Sequence, residues 1–221
     1  MTVGVLCGID GEAGVLDRID GIRIYKNIDG EKQLRAEIDQ LDALIAWGTC
    51  GGLAPGVAIG DLVIGARVRL ASGDQYEPDE GWTQALSAAG ADLSRTRGVN
   101  VQFCDVYSTP VESAATPDQR AQLFAATRCQ VVEVESSVVA PLAKERGIPF
   151  IVVRAVSDDW RTTIPAGDVN ALNPDGSTNL RALIKNGVDL SILGLAGDYD
   201  AALVALLALR DAATPTLQRI Y

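Results

Sequence analysis

The sequence predicts an α/β fold in which helices cover both faces of a β-sheet. Short apolar runs rich in β-branched residues alternate with amphipathic segments, a pattern typical of strands connected by helices. The chain has 221 residues, of which 48% are hydrophobic, so it can bury one sizeable core. It contains no internal repeat and no low-complexity linker. We therefore expect a single domain over residues 1–221.

Each element is predicted from its periodicity and from the residues at its ends. The predicted strands are Val3–Cys7, Ile22–Tyr25, Ala43–Trp47, Leu62–Leu70, Val99–Cys104, Val131–Val134 and Phe150–Val156. The predicted helices are Glu12–Ile19, Glu31–Leu41, Trp82–Ala89, Pro117–Ala126, Ser136–Arg146, Asn179–Lys185 and Leu190–Ala213. Thr116 with Pro117 predicts a helix start, because threonine caps a helix and proline suits its first turn. Gly147 followed by Pro149 predicts a helix end, because proline cannot continue a helix.

Two polar segments and the last helix stand apart from this regular pattern. Asp74–Gly81 is a polar loop, and Asp158–Gly176 is a longer one rich in Asp, Asn, Pro and Gly. Long irregular segments in compact domains are often lids or binding loops. The last helix is apolar on more than one face. The sequence leaves three roles open for this helix: part of the packed core, a dimer contact, or a wall for an apolar substrate.

Composition excludes several classes of partner. A formal net charge of −10 would repel nucleic-acid phosphates and anionic membrane surfaces, so we expect neither as a general partner. The first apolar run has no basic segment before it and no cleavage site after it. No stretch reaches the roughly 18 apolar residues that are needed to span a bilayer. We therefore expect a soluble, cytoplasmic protein.

The chain has no histidine, and this limits its chemistry. Ser-His-Asp and Cys-His mechanisms are excluded, and so is the commonest zinc ligand. The four cysteines form no C-x-x-C pair, so we interpret them as reduced, small core residues and predict no metal site. They are Cys7, Cys50, Cys104 and Cys129. Acid–base chemistry has to rest mainly on carboxylates.

Acidic residues follow three of the predicted strands. Glu12 comes after the first strand, Glu135 after Val131–Val132, and Asp158 after the last strand. In open α/β sheets, ligands bind outside the carboxyl ends of strands. Each carboxylate alone has a plainer interpretation, because an acidic residue also favours the start of a helix. The glycine-rich segment Gly48–Ala54 is likewise a weak signal by itself.

Taken together, these segments resemble the nucleosidase/phosphorylase superfamily. Gly48–Pro55, followed by Ile59–Val63, looks like its glycine loop and next strand. Val132–Ser136 resembles its V-E/D-M-E motif, and Pro149–Asp158 is similar to its P-F-x-x-V-R-x-I-S-D strand. Glu12 falls where the nucleosidase branch has its N-terminal glutamate. The resemblance implies a three-layer αβα sandwich with a central mixed, mostly parallel sheet, phosphorylase/hydrolase-like, and cleavage of the bond between adenine and a ribose.

The resemblance also implies a role for each matched residue. Asp158, with Ser157 beside it, would donate a proton to adenine N7, and burial or Asp159 would help to keep that proton on it. Glu135 would accept hydrogen bonds from the ribose hydroxyls, and Glu12 would orient or deprotonate a water. The small-residue floor beside the ribose would be Thr49, Cys50 and Gly51. No cofactor is implied, and phosphate is possible as a co-substrate.

The sequence leaves open whether the nucleophile is water or phosphate. Phosphate requires anchoring cations, usually arginine, and backbone donors. The classical phosphorylases place an arginine just before the glycine loop, where this chain has Trp47. Their N-terminal phosphate-binding glycine turn is missing, and Glu12 would repel phosphate. These features favour hydrolysis.

The tail is similar to one branch of the family. Ile164–Ala166, Ala171–Leu180 and the long closing helix look like the hopanoid-biosynthesis-associated phosphorylases. That resemblance implies adenosylhopane, an adenosine with a lipid at its 5′ carbon, as substrate. The family also implies a homodimer.

Two positions depart from the family pattern. Val134 replaces the methionine that packs on the ribose, and Val111 lies near the adenine-stacking aromatic of the nucleosidases. These departures put methylthioadenosine as the substrate in question. Trp160 could close the pocket in place of the aromatic residue that is missing at Val111. The alternatives are a methylthioadenosine/S-adenosylhomocysteine nucleosidase, a phosphate-dependent purine nucleoside phosphorylase, a non-catalytic nucleoside-binding module, and an unrelated α/β protein with chance matches.

Overall fold

A mixed sheet of eight strands forms the centre of the computed structural model, which describes residues 1–17, 19–164 and 191–217. The strands are β1 (Val3–Cys7), β2 (Ile22–Lys26), β3 (Ala43–Gly52), β4 (Leu62–Leu70), β5 (Gln75–Tyr76), β6 (Val101–Ser108), β7 (Val131–Glu133) and β8 (Phe150–Asp158). The α-helices are α1 (Asp10–Val15), α2 (Asn27–Glu37), α3 (Glu80–Arg97), α4 (Pro117–Thr127), α5 (Ser136–Arg146) and α6 (Ser191–Leu217). Short 3₁₀ helices cover Ile38–Gln40 and Val111–Ala114.

Most strand pairs among these residues are parallel. β1 pairs in parallel with β2 and β3, β3 with β8, and β6 with β4 and β7. The antiparallel pairs join β3 to β7, β4 to β5 and β4 to β8. The strands β3, β8, β4, β6 and β7 therefore pair in a closed circuit, which is extended on one side by β1 and β2. This confirms the predicted mixed, mostly parallel sheet.

Helices cover both faces of the sheet, as predicted. Successive residues of β3 and β8 belong alternately to two apolar clusters, as the two-residue period of a strand requires. One cluster packs against α1, α3 and α6, and the other packs against α2 and α5. Because both faces are buried, residues 43–47 of β3 and 150–153 of β8 form continuous apolar runs without polar alternation.

The difference from the predicted elements that most affects the site lies in β3. The sequence predicts that this strand ends at Trp47 and that a glycine loop follows, but the strand continues to Gly52. Residues Gly48 to Cys50 pair with Arg154 to Val156 of β8, so the small residues continue the ladder. Gly51 then pairs with both Asp158 of β8 and Val132 of β7. The extension brings the ends of three strands together at one rim.

Other elements also differ from their predicted bounds. The predicted bounds of β4 and α5 are confirmed, whereas α3 is longer at both ends because Asp79 caps it and Gly98 closes it. The α1 helix ends earlier than expected, and α2 starts earlier. The short β5 and the turn Val111–Ala114 were not predicted. The predicted helix Asn179–Lys185 lies outside the described residues.

Candidate active site

A cavity of about 230 Å³ lies at the rim where β3, β7 and β8 meet. All nine residues that the sequence predicts for the site line it: Glu12, Thr49, Cys50, Gly51, Val111, Val134, Glu135, Ser157 and Asp158. They come from α1, the end of β3, the turn before α4, the segment after β7 and the end of β8. The structure therefore brings these residues together, and their individual roles stay predictions.

A larger groove of about 910 Å³ lies elsewhere, near Arg67, Lys144 and Phe150. Phe150 begins β8 and Asp158 ends it, so the groove opens roughly 26 Å along that strand from the cavity, at about 3.3 Å per residue. None of the predicted site residues lines this groove. The smaller cavity is the candidate active site.

Glu12 is held by donors on both of its carboxylate oxygens. Its Oε2 accepts hydrogen bonds from the backbone N–H of Gly8 at 2.8 Å and of Ile9 at 3.3 Å. Its Oε1 accepts from the backbone N–H of Thr49 at 2.7 Å and from the Thr49 hydroxyl at 2.8 Å. The bonds to Gly8 and Ile9 hold the start of α1, as the plainer interpretation suggests. The bonds to Thr49 join that helix to the end of β3.

Two glycines make room for this carboxylate. Gly48 has a φ of +143°, and a Cβ at this position would lie 2.6 Å from the Glu12 carboxyl carbon. A side chain is therefore excluded by contact as well as by backbone conformation. A Cβ on Gly8 would lie 2.9 Å from Glu135 Oε1 and 3.4 Å from Glu12 Oε2. The two carboxylates are thus close neighbours.

Arg154 neutralises part of this negative charge. It is fully buried, forms an ion pair with Glu133, and lies 2.9 Å from Glu135 Oε2. Glu133 also accepts the backbone N–H of Ser136 at 3.0 Å, which ties the pair to the start of α5. Glu12, Glu133, Glu135 and Arg154 are called the acidic half of the cavity below. It has three carboxylates for one guanidinium.

The pKa values in the acidic half reflect burial and this excess of carboxylates. Burial, followed by repulsion from Glu135, raises the pKa of Glu12. Burial also raises the pKa of Glu133, although the Arg154 guanidinium opposes the shift. The pKa of Arg154 is raised even though burial opposes this, because Glu133, Glu135 and Glu12 surround it. Glu12 and Glu133 therefore retain a proton more readily than an exposed glutamate does.

Asp158 lies across the cavity in a different environment. Its Oδ1 forms an ion pair with the guanidinium of Arg120, and its Oδ2 accepts a hydrogen bond from the Ser157 hydroxyl at 2.8 Å. Arg120 is 1% exposed and comes from α4. Asp158, Ser157 and Arg120 are called the paired half below. It has one carboxylate for one guanidinium.

Two expectations about the neighbours of Asp158 are wrong. Asp159 does not assist it, because the Asp159 carboxylate is bound by the Arg161 side chain and by the Thr162 hydroxyl at 3.3 Å. Burial tends to raise the pKa of Asp159, but hydrogen bonds from Arg161 outweigh this effect, and the pKa of Asp159 is lowered. Trp160 does not line the cavity, and its ring instead faces the Arg161 guanidinium at 5.8 Å.

The remaining predicted residues form walls. Val111 and Val134 line the cavity together with the apolar side chains of Ala114, Val132 and Ile164. Cys50 also lines it, and burial holds the pKa of its thiol well above the usual value, so the thiol acts as a small filler. All four cysteines are free and buried, as the sequence predicts.

Three charged residues near the cavity had no predicted role: Glu133, Arg154 and Arg120. Glu133 and Arg154 interrupt otherwise apolar strands, and a charge within such a strand is a signal for a buried pair. Arg120 precedes Leu123 and Phe124 by one helical turn, on the side of α4 that faces the core. Those positions could have identified the residues as buried, but not their partners.

Within residues 1–17, 19–164 and 191–217, no group of three or more Cys, Asp or Glu could hold a metal ion. Over the same ranges, no helix combines the length and the apolar character needed to cross a membrane.

Known proteins resemble this chain in sequence. The phosphorylase superfamily model matches residues 32–186. The 5′-methylthioadenosine/S-adenosylhomocysteine nucleosidase of Shewanella halifaxensis is 27% identical over 140 residues, covering 56% of this chain and 60% of the relative. The Shewanella piezotolerans nucleosidase is 26% identical over 171 residues, covering 70% and 68%. The chain thus spans about 60% of the length of several curated relatives that it matches.

Solved structures share the fold. The Neisseria meningitidis 5′-methylthioadenosine/S-adenosylhomocysteine nucleosidase, in complex with methylthio-immucillin-A, has a TM-score of 0.68 at 16% identity, covering 98% of this chain and 99% of that one. The Helicobacter pylori futalosine hydrolase has a TM-score of 0.62 at 12% identity, covering 96% and 97%. At these identities the likeness shows the fold alone. Because the family model spans most of the sequence, from Lys32 to Asn186, the chain belongs to the phosphorylase superfamily.

Proposed function

We propose that this chain hydrolyses the N-glycosidic bond of a 5′-substituted adenosine and releases adenine. The observation that carries the proposal is the convergence of Glu12, Glu135 and Asp158 on one cavity. A pure binding site for a neutral nucleoside does not need three carboxylates from distant parts of the chain. The names of the relatives, which are nucleosidases, support the same class of reaction.

Breaking this bond requires help for the leaving group. The electron pair of the bond between C1′ and N9 moves onto adenine, which leaves poorly as an anion, so a proton is delivered to N7. Asp158 is our general acid, and a positioned acid contributes about 10²–10⁴ in rate. Its Oδ1 is fully buried against Arg120, so the proton has to leave from Oδ2, beside Ser157.

The ribose becomes positively charged as the bond stretches, as in glycoside hydrolysis. The acidic half supplies the complementary charge, because its three carboxylates exceed its single guanidinium. Glu135 accepts hydrogen bonds from the ribose hydroxyls, and Glu12 accepts a proton from the water that attacks C1′. The raised pKa of Glu12 makes its carboxylate a stronger base than an exposed glutamate.

Water is favoured over phosphate by the same charges. A phosphate dianion would have to approach C1′ beside Glu12 and Glu135, which repel it. Both buried arginines nearby, Arg120 and Arg154, already face carboxylates. Neither is placed as an unpaired anchor for an anion. Trp47, which stands where the phosphorylases have an arginine, is buried in the apolar core and is not in the cavity.

The 5′ substituent is the finer part of the proposal. The resemblance of the tail to the hopanoid branch favours adenosylhopane, but of its motifs only Ile164 and the last helix fall within the described residues. Val111 in the cavity wall, in place of an aromatic, is compatible with a substrate other than methylthioadenosine. A homodimer, implied by the family resemblance, completes the proposal.

The test is adenine release from adenosylhopane, methylthioadenosine and adenosine, with and without phosphate. We expect release without phosphate, and we expect adenosylhopane to have the highest kcat/KM. Strict phosphate dependence would identify a phosphorylase. Binding without release of adenine from any substrate would identify a binding module. Preference for methylthioadenosine would contradict the lipid substrate alone.

The Asp158→Asn variant tests the assignment of the acid. Asparagine keeps the size of the side chain but cannot donate an acidic proton, so kcat should fall by about 10²–10⁴. Asp105→Asn is the matched control, because Asp105 of β6 pairs with Arg69 of β4 and neither residue lines the cavity. A fully active Asp158→Asn variant would exclude Asp158 as the acid.

A further inference from the structure

Arg120 is a charged group in the cavity wall that neither donates nor accepts a proton in the reaction described above. It comes from the second turn of α4, whose start is fixed by Thr116 and Gln119, each bound to the other's backbone N–H. It is among the largest fully buried side chains of the described residues. Burying a guanidinium is costly unless its donors are satisfied and its charge is paired. Its position therefore has to be explained by what it binds.

Arg120 connects three separate parts of the site. Its Nε donates to the carbonyl oxygen of Ala114 at 2.8 Å, and its Nη1 donates to that of Asp159 at 2.7 Å. A longer bond of 3.4 Å joins Nη1 to the Gly52 carbonyl oxygen. Nη2 faces Asp158 Oδ1. The guanidinium thus ties the turn that carries Val111 and the end of β3 to the end of β8.

The end of β3 is shaped to admit this pair. A Cβ on Gly51 would lie 2.9 Å from Asp158 Oδ1 and 3.2 Å from Arg120 Nη1. Contacts that short require one of the two groups to shift. Gly51 therefore leaves the space in which the guanidinium and the carboxylate meet.

We propose that Arg120 is a positioning residue that acts through Asp158. It holds Oδ1 in the wall and leaves Oδ2, beside the Ser157 hydroxyl, as the oxygen that serves the substrate. The fixed fork of a guanidinium suits this task better than the flexible ammonium of lysine. The inference rests on the proposed function, because it assigns Arg120 to the step that Asp158 performs.

The test is a double-mutant cycle on adenine release with Arg120→Met and Asp158→Asn. Misplacing a catalytic group by about 1 Å can cost about 100-fold, so Arg120→Met should lower kcat by about that factor with little change in KM. In the Asp158→Asn background the same substitution should change kcat by less than about 3-fold, because residues that act as a unit are not additive. Arg120→Lys should recover part of the loss.

Two further variants separate positioning from folding. Arg69→Met breaks the Arg69–Asp105 ion pair between β4 and β6 and should leave kcat unchanged. Gly51→Ala keeps both charges but crowds the Arg120–Asp158 pair, and it should lower kcat in the same Asp158-dependent way. If Arg120→Met does not fold, Arg120→Lys and Gly51→Ala take its place in the cycle.

The outcomes distinguish this inference from the proposed function. Equal losses from Arg120→Met in the wild-type and Asp158→Asn backgrounds would overturn the positioning role and leave the function intact. An unchanged kcat in folded Arg120→Met would do the same. A wild-type chain that releases no adenine from any 5′-substituted adenosine would overturn both.

Discussion

The two halves of the cavity neutralise their carboxylates in different ways. In the acidic half, Arg154 forms ion pairs with Glu133 and Glu135, whereas Glu12 accepts four hydrogen bonds from donors of Gly8, Ile9 and Thr49. In the paired half, Asp158 faces one arginine and accepts one hydroxyl. The first half retains excess negative charge, whereas the second is balanced. A cavity with this asymmetry suits a reaction in which positive charge develops on one side and a proton is delivered on the other.

The comparison also separates stability from chemistry. Buried charges lower stability unless they are paired, so the acidic half is the costlier of the two to fold. Two of its carboxylates, Glu12 and Glu133, have raised pKa values, because burial and repulsion from Glu135 disfavour their ionised forms. Perturbed carboxylates in a cavity are typical of functional sites.

The largest expected effect is on activity in the acidic half. Glu12→Gln keeps the shape of the side chain but cannot accept a proton, so we expect kcat to fall by about 10²–10⁴, or roughly 3–5 kcal/mol of barrier. Steady-state adenine release measures it, and Glu145→Gln on the exposed surface of α5 is the control. Full activity of Glu12→Gln would exclude Glu12 as the base.

The next effect is on stability. Arg154→Met leaves Glu133 and Glu135 without their cation, and breaking a buried pair in this way costs about 3–5 kcal/mol of unfolding free energy. Arg69→Met, at a partly exposed pair, should cost about 1 kcal/mol or less. Urea denaturation measures both. Similar losses in the two variants would contradict a special dependence of the acidic half on Arg154.

A smaller effect is expected in the paired half. Ser157→Ala removes the hydroxyl that donates to Asp158 Oδ2, while the ion pair with Arg120 remains. The loss of one such hydrogen bond is worth about 1 kcal/mol, which corresponds to about a 5-fold fall in kcat. Thr127→Ala, which removes a hydroxyl bond to the Leu123 carbonyl oxygen within α4, is the control. A fall beyond about 100-fold would show that Ser157 contributes more than this single bond.

The last prediction concerns pH. The pKa of Glu12 is higher in the folded chain than its ordinary value of 4.5, so the folded state binds the proton more tightly than the unfolded state. Stability therefore falls as the pH rises from about 4.5 through the folded pKa. Glutamine at this position does not ionise, so the Tm of Glu12→Gln minus that of the wild type should increase with pH over this window. A difference that stays constant or shrinks between pH 5 and 8 would contradict the raised pKa.

The fold could be read from local patterns where those patterns are strong. The bounds of β4 and α5 follow from an apolar β-branched run and from a glycine stop, and both signals are local. The end of β3 could not be read, because glycines usually break strands, and here they continue one between β8 and β7. The predicted helix Asn179–Lys185 stays a prediction.

For the site, the sequence by itself determined which chemistry is available. Without histidine, it left carboxylates as the acid–base groups, and the spacing of Glu12, Glu135 and Asp158 after strands placed them at one rim. Only the tertiary structure decided which cation each carboxylate faces. Arg120 and Arg154 are 34 positions apart and look alike in the sequence. Their partners depend on how α4 and β8 pack, and charge pairing over such separations is set by the folded chain rather than by local propensity.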